Sequence, residues 1–374
     1  MHYRIPLFRS LNEALDGELI VVYGQAPGQD TIGVEEELGF RRILIRNHWV
    51  RGEALVYQNL IHVARSLCPT AILTEHSVRN LGLFELLFAV RRSNIPVLLW
   101  GHGRSQRRPL NTPSLQNSMH RWLIRNADGY VAYTRSRAAE VSAIFPNKPV
   151  FFATNTLDTQ VLFKLRRDLE QEGRGTVLQR LGLKDKHYIL FIGRLHSDKS
   201  PALVLDLARA LKSRGRNIGV LFIGSGPERA RLVAAAHGLP DVHFLGEIND
   251  WKASAPYIYV CSALVMPQWV GLAANHGLAL GTPILCFTPQ PGGPIHPPEI
   301  DFVVEDLTGF EVPYGDWELF VTRAELLLDK HAHFKRQCIE YAKREIAVER
   351  WLEGMLEAIR TVTSDSGTAR SLAR

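Results

Sequence analysis

Short aliphatic and β-branched runs of strand length recur along the whole chain, and amphipathic stretches of helical length lie between them. A strand that is apolar on both faces must be covered on both. Helices threaded between successive strands of a parallel sheet do that, so the alternation predicts an α/β fold. In the first half, strands are expected near residues 19–23, 43–46, 71–74, 97–100, 130–133 and 150–153. A second series of similar rhythm has strands near 188–192, 219–223 and 242–245, then either 257–260 or 264–266, and finally 283–287. The polar segment 164–175, with RRDLEQEGRG in its middle, carries no strand pattern and separates the two series. The expected division is therefore an N-terminal domain over 1–165 and a C-terminal domain over 166–345. Ile346, Trp351, Met355 and Ile359 recur at helical spacing, so 346–374 should form a terminal helix and tail packing back on the N-terminal domain. The 374 residues exceed what one core usually organises. Two doubly wound domains facing across a cleft place the site beyond the carboxyl ends of their strands.

The longest apolar runs, LIVVY and VLFIG among them, fall far short of the roughly 20 residues that cross a bilayer. The opening MHYRIPLFRSLNEALDGE turns charged too early for a cleavable leader, so a cytoplasmic location is expected, at most peripheral at the inner face of the membrane. Cys68, Cys261, Cys286 and Cys338 are far apart and form no CxxC pair, which fits reduced thiols better than a disulfide framework or a zinc site. The net charge of +6 is unevenly spread: residues 100–137 hold seven arginines against one acid, Asp128. Such a stretch suits an anionic membrane surface, a lipid diphosphate or simple solvation. It carries no helix-turn-helix, zinc or aromatic RNA-binding signature, so nucleic acid is not an expected partner.

Two segments of the second half carry chemistry. FIGRLHSDKSP (191–201) runs from an apolar strand through Gly193 to Arg194 and Lys199, five positions apart, ahead of a helix. An arginine fork and a lysine point charge leading into a helix N-terminus suit a diphosphate, whose charge must be neutralised as it departs. Taken alone, such a loop is more often a solvated turn. VLFIGSGPERARL (220–232) puts Gly224 and Gly226 between strand and helix, where missing side chains let a ligand approach the backbone or simply make a tight turn. FTPQPGGPIHPPE (287–299) reads as a loop over the cleft. In the first half, VLLWGHGRS sets His102 between two glycines after a strand, with Arg104 close behind. His48 and His76, the latter accompanied by Glu75, also follow expected strands.

Taken in order, GRLHSDK, GSGPE, VHFLGEI, VGLAANHGLALGTPIL, GGPIHPPEI and LTGFEVPYGD resemble the retaining glycosyltransferases of family 4 across residues 191–316. The resemblance implies a GT-B fold of two Rossmann-like domains, with the sugar nucleotide held mainly on the C-terminal one. Arg194 and Lys199 would then hold the diphosphate, with Gly193, Gly224 and Gly226 lining the nucleotide. Phe244, Leu245 and Glu247 would lie near the base, and Gln268, Gly271, Leu272 and His276 would complete the donor site. Two positions depart from the family, which has a glutamate, seven residues and a second glutamate where this chain has Gln268 and His276. The second glutamate usually binds the ribose, so His276 would replace it there or on a phosphate, and Gln268 would face the donor sugar. In the related enzymes a histidine at a comparable strand end sits near the donor sugar, and His102 takes that place. His48, His76 and Arg104 are the acceptor-side candidates.

No Asp-x-Asp follows a strand and no metal-ligand spacing is seen, so neither metal nor other cofactor is expected beyond the sugar nucleotide itself. The resemblance implies a metal-independent hexosyltransferase, with His102, Arg194 and Lys199 at the reaction centre and retention at the anomeric carbon. The acceptor would be a saccharide or a polyprenyl-diphosphate-linked saccharide, in polysaccharide or glycoconjugate biosynthesis. Two alternatives stand beside it: an inactive sugar-nucleotide-binding partner subunit, suggested by the lost glutamates, and a sugar-nucleotide epimerase on the same fold.

Overall fold

A computed structural model describes residues 4–25, 38–90, 95–104, 109–239 and 241–372, with side chains up to residue 364. The chain divides into two compact units, one formed by Met1–Leu157 with Val348–Arg374 and the other by Asp158–Ala347.

The first unit begins with α1 (Ile5–Ala14), β1 (Ile20–Gly24), β2 (Arg41–Ile45), β3 (His48–Val50), β4 (Leu55–Tyr57) and α2 (Leu60–Leu67). It continues with β5 (Ile72–Glu75), α3 (Leu81–Val90), β6 (Val97–Gly101), α4 (Leu115–Asn126), β7 (Gly129–Ala132), α5 (Arg135–Ile144) and β8 (Val150–Phe152). Among the described residues β5, β6, β7 and β8 pair in that order, all parallel, while β1 pairs with β2 alone. Both VLLWG of β6 and GYVA of β7 are wholly buried. Their alternating side chains feed two cores. Val97, Leu99, Tyr130 and Ala132 join Leu83, Leu86 and Leu87 of α3 on one face, and Leu98, Trp100, Val131 and Tyr133 join Leu7 and Leu11 of α1 on the other. The antiparallel hairpin of β3 and β4 was not expected from the sequence. Its strands are three residues each, and Arg51 and Gly52 turn it with φ of 53° and 58°.

The second unit opens with α6 (Thr159–Glu172) and α7 (Arg174–Arg180). The polar segment 164–175, expected as a boundary, is therefore helical. Asp158 caps α6 by accepting from the Val161 N–H, and Leu162, Arg166 and Leu169 fall on its buried side. The division lies ahead of this helix, at Leu157, instead of within it. Then come β9 (His187–Ile192), α8 (Ala202–Ser213), β10 (Ile218–Ile223), α9 (Arg229–Ala235), β11 (Val242–Phe244), α10 (Trp251–Val260) and β12 (Ala263–Val265). The unit ends with α11 (Ala273–Leu280), β13 (Ile284–Phe287), β14 (Gly309–Val312), α12 (Trp317–Asp329) and α13 (His331–Tyr341). Of the two candidates for the fourth strand, 257–260 is helix and 263–265 is strand; β14 is an addition.

The six strands run parallel in the order β11-β10-β9-β12-β13-β14. Counted within the unit this is 3-2-1-4-5-6, the doubly wound order, and the winding reverses between β9 and β12. Ile189, Phe191, Val220, Phe222, Leu285 and Phe287 pack on α8 and α12. The opposite face is covered by α10 and α11, on which α6 lies in turn.

The last helix, α14 (Val348–Leu372), rejoins the first unit. Its Trp351, Met355 and Ala358, all fully buried, cover the side of β7 and β8 that α1 leaves open. Gly354 sits at the closest approach, since a Cβ there would lie 1.9 Å from the Phe152 carbonyl oxygen. Helix propensity favours alanine over glycine by about 0.5–1 kcal/mol. Steric crowding against β8 should outweigh it, so Gly354→Ala should destabilise the chain by about 1–3 kcal/mol in chemical denaturation. An unchanged or raised midpoint would mean that α14 can shift off β8 without loss.

Candidate functional site

Three loops leave the carboxyl ends of β9, β10 and β11 and are laced together through their backbones. The Gly193 N–H donates to the Ile223 carbonyl at 2.9 Å, Leu195 N–H to Ser225 at 2.8 Å, Glu228 N–H to Leu195 at 3.1 Å and Gly224 N–H to Gly246 at 2.7 Å. This layering is what the glycines serve. A Cβ at Gly224 would lie 2.0 Å from the Gly193 carbonyl oxygen, and one at Gly226 would lie 2.4 Å from that of Leu195. Both also hold φ values, 133° and 157°, that side chains disfavour. The space freed by the missing side chains is thus filled by neighbouring backbone, which fixes the loops beside the β9–β12 reversal.

Arg194 and Lys199 stand on the loop after β9, the arginine exposed and the lysine half-buried, its Nζ 3.3 Å from where a Cβ of Gly193 would be. Burial, and then the Arg194 guanidinium, press the Lys199 ammonium below its ordinary pKa, with Asp198 offsetting part of this. Neither cation forms an ion pair with a carboxylate among the described residues. Two like charges held close and partly desolvated are stabilised by an anion between them. Across the reversal, the Gln268 amide donates to the Ser200 hydroxyl at 2.6 Å, tying the loop after β12 to the loop after β9.

That β12 loop is held by a histidine which the sequence did not single out. The Val270 N–H donates to Nδ1 of buried His296 at 3.1 Å, while its Nε2 lies 2.9 Å from the Phe287 carbonyl. Since Nδ1 accepts, Nε2 carries the proton, and only the neutral ring makes both bonds. Burial, opposed by the Phe287 bond, lowers its pKa to about 4. Trp269, with φ of 61°, donates its N–H to Ile295, so the segment runs as a pinned turn into Gly271, Leu272 and α11.

His276 lies on α11, 3% exposed, with its ring flat against Trp251 of α10 at a centroid distance of 3.5 Å and 14° between planes. Its pKa falls to about 3 through burial, and its Nδ1 has no hydrogen-bond partner among the described residues. Trp251 also escaped the sequence reading; the signal was an aromatic residue directly after the capping Asn-Asp of a helix. Phe244, expected near a base, is half-buried and stacks on Phe222 at 4.8 Å against the edge of the core. Leu245 bonds back to β10, and Glu247 is exposed. Among the described residues, no group of three or more His, Cys, Asp or Glu side chains is placed to hold a metal ion.

In the first unit, His102 follows β6 and His76 follows β5. His76 Nε2 lies 3.3 Å from Nδ1 of His120 on α4, and the His102 ring packs on Tyr133 at 4.8 Å. Burial is the main reason all three are neutral, with pKa near 3 for His76 and near 4 for His102 and His120; Arg137, Arg4 and Arg104 lower His102 further. His120 was missed because it sits inside a polar helix, and only its place on the buried side with Asn117 and Ile124 marks it. His48 does not join them: it is exposed on β3, opposite Tyr57 on the hairpin. Arg104 and Arg137 share Glu140, at 2.9 and 2.8 Å, and Arg121 donates to the Leu110 carbonyl. Much of the basic stretch therefore holds its own loop together; Arg107 and Arg108 lie outside the described residues.

These buried imidazoles make stability depend on acid. Each is neutral when folded and protonates below about pH 6.5 when unfolded, so the unfolded chain binds more protons as pH falls. Stability should be complete above pH 6.5 and should decline as pH drops towards 4. His296→Ala leaves two buried backbone groups unsatisfied and should lose about 2–5 kcal/mol at neutral pH, with a shallower decline between pH 6.5 and 4. Denaturant titrations at several pH values test this; an unaltered pH slope in the variant would show that His296 is not held neutral.

Residues 176–345 match the family described as glycosyl transferases group 1. Over 134 residues the chain is 31% identical to a GDP-mannose-dependent alpha-(1-6)-phosphatidylinositol dimannoside mannosyltransferase of Mycobacterium tuberculosis, strain ATCC 25177 / H37Ra, and the match covers 35% of each protein. The chain thus spans about a third of the length of the curated relatives it matches. Its fold is similar to that of HepE of Anabaena, solved with UDP, at a TM-score of 0.67 and 14% identity, covering 96% of both chains. A glycosyltransferase of Rickettsia africae is similar at a TM-score of 0.68 and 12% identity, covering 96% of this chain and 93% of that one. With its parallel doubly wound C-terminal sheet and these neighbours, the chain has the GT-B fold.

Proposed function

We propose that this chain is a retaining glycosyltransferase of family 4, moving a hexosyl group from a nucleoside diphosphate sugar to a saccharide or lipid-linked saccharide in polysaccharide or glycoconjugate biosynthesis. The observation that carries the reading is the pair Arg194 and Lys199, unpaired among the described residues and set beside the point where the strand order of the C-terminal sheet reverses. The similarity to the group 1 family over 176–345, to a mannosyltransferase and to a fold solved with UDP and with UDP-glucose supports it.

In the step proposed, the bond between the anomeric carbon and the β-phosphate oxygen breaks and its electron pair stays on the diphosphate. Negative charge therefore grows there, and Arg194 and Lys199 stabilise it more in the transition state than in the ground state. The acceptor hydroxyl oxygen bonds to the anomeric carbon on the face the diphosphate leaves, and its proton passes to a departing phosphate oxygen. No carboxylate nucleophile is needed, which accommodates Gln268 and His276 in place of the family's glutamates. His102, neutral and half-buried after β6, is a hydrogen-bonding partner for a sugar hydroxyl, not a charged acid.

For the acceptor, the first unit offers a surface suited to lipid. Phe88 is 68% and Leu115 82% exposed, Trp122 stacks on Phe84, and exposed Arg125 lies on the same helix as Leu115 and Trp122. Among the described residues no helix is long and apolar enough to cross a membrane. A peripheral place at the cytoplasmic face, with apolar rings and arginines towards anionic lipid, fits both facts.

The test is transfer of sugar from UDP- and GDP-hexoses to a lipid-linked saccharide in vesicles, with the product's anomeric configuration read by NMR. Arg194→Ala should lower kcat about 100- to 1,000-fold, the scale for removing one such electrostatic contact. Chelation by EDTA should leave the rate unchanged. Inversion would overturn the mechanism, and nucleotide binding without transfer to any acceptor would favour the inactive partner subunit.

A further inference from the structure

His102 leaves the end of β6 with little of its own to hold it. Its Nδ1 is buried without a hydrogen-bond partner among the described residues, so no bond at that atom sets the plane of the ring. The aromatic neighbour is Tyr133. Trp100 pairs with Val131 and Gly101 with Ala132 across β6 and β7, and the Tyr133 N–H donates to the Gly101 carbonyl at 3.3 Å, so the ladder carries Tyr133 to the side of His102. There the two rings meet edge-on, with 4.8 Å between centroids and 68° between planes. A half-buried imidazole leaning on an aromatic edge keeps its orientation only as well as that neighbour keeps its own.

Tyr133 is held from α1. Leu7 and Leu11 of that helix are buried in the same core as Trp100 and Tyr133. Arg4 stands three positions before Leu7, hence on the same side of the helix. Its Nη2 donates to the Tyr133 hydroxyl at 2.9 Å, and its guanidinium lies over the Trp100 indole, 4.4 Å from the ring centroid. The arginine thus clasps the residue beside His102 and the residue two before it, by a hydrogen bond and a cation–π contact. A planar fork laid on an indole loses little further freedom in making that bond.

Arg4 also acts on the ring through charge. Among the described residues, His102 is faced by Arg4 from α1, Arg104 from its own loop, Arg137 from α5, His120 from α4 and His76 from the end of β5; Glu140 binds Arg104 and Arg137 and offsets part of their charge. Burial is the first cause of the imidazole's low pKa of about 4, Arg137 the second and Arg4 the third. A positive charge disfavours another beside it, so losing Arg4 raises that pKa.

We propose that Arg4 is a positioning residue for the reaction, holding His102 in place through Tyr133 at the carboxyl end of β6. This rests on the reading of His102 as the partner of a sugar hydroxyl. An imidazole that offers one nitrogen to a hydroxyl needs a fixed plane, because a hydrogen bond weakens steeply off its axis. Arg4 acts on no reacting atom itself; its effect passes through the tyrosine ring.

Imidazole NMR of the full chain with 15N-labelled histidine, His102 being assigned by the signals lost in His102→Gln, tests the hold without any substrate. Arg4→Ala should move the His102 ring signals at neutral pH and raise the pH at which they titrate, whereas Arg4→Lys, which keeps the charge, should titrate near the parent chain. Tyr133→Phe should move the signals without raising the titration. Transfer from UDP- and GDP-hexoses to a lipid-linked saccharide in vesicles measures the consequence. Arg4→Ala and Tyr133→Phe should each lower kcat about 10- to 100-fold, the scale of a misplaced group, with the donor KM within about threefold of the parent. In a His102→Ala background neither substitution should lower kcat further. Unmoved His102 signals in Arg4→Ala would overturn the proposal, even if that variant denatures more easily, as would an undiminished effect of Arg4→Ala in the His102→Ala background. Transfer at the parent rate by His102→Ala would instead refute the reading of His102 itself, and with it any part for Arg4 in the reaction.

Discussion

Parallel strands have no face to show to water, and most of what this chain does follows from meeting that demand twice. In the second unit the helices between strands cover the sheet from both sides, and the winding must reverse once for this to happen. The reversal leaves β9 and β12 adjacent, with their outgoing loops diverging beyond the strand ends. Arg194, Lys199 and Gln268 stand there because those loops start there. The place of these side chains is thus set by the strand order, and the sequence writes them onto a position the sheet already provides.

Rigidity of that position comes from backbone more than from side chains. Gly224 and Gly226 let three loops lie against one another closely enough to hydrogen-bond in layers, and His296 pins the fourth through two bonds to main-chain groups. Two cations that repel each other need such a frame, because nothing in their own interaction keeps them together. The same economy operates in the first unit, where Glu140 holds Arg104 and Arg137, and where three neutral histidines pack at the ends of β5 and β6 without a counter-charge.

The strands with both faces buried could be read from the sequence, since a run such as VLLWG or VLFI has no other place to go. The hairpin at β3 and β4 could not, because its six residues alternate too briefly and depend on a left-handed turn at Arg51. YIYV, an aromatic and β-branched run, lies wholly within α10, where tertiary burial overrode strand propensity. The polar segment 164–175 read as a domain boundary because a surface helix shows only one apolar stripe. At the proposed site, Arg194 and Lys199 were visible as a local motif. Trp251, His296 and His120 were not, for each matters through a partner on another element, and no local spacing announces that meeting.

The chain passes between its two units twice, at Leu157 and again at Ala347, and the second passage has a temporal meaning. During synthesis the central unit is complete by residue 347, while the unit begun first still lacks α14 and exposes the β7 and β8 face that Trp351 and Met355 will cover. The ribosome therefore finishes the inner unit before the outer one, and β7 and β8 wait for α14. A nascent chain held at that stage carries an open apolar sheet, the surface that chaperones bind, and a truncated product ending before α14 would carry it permanently.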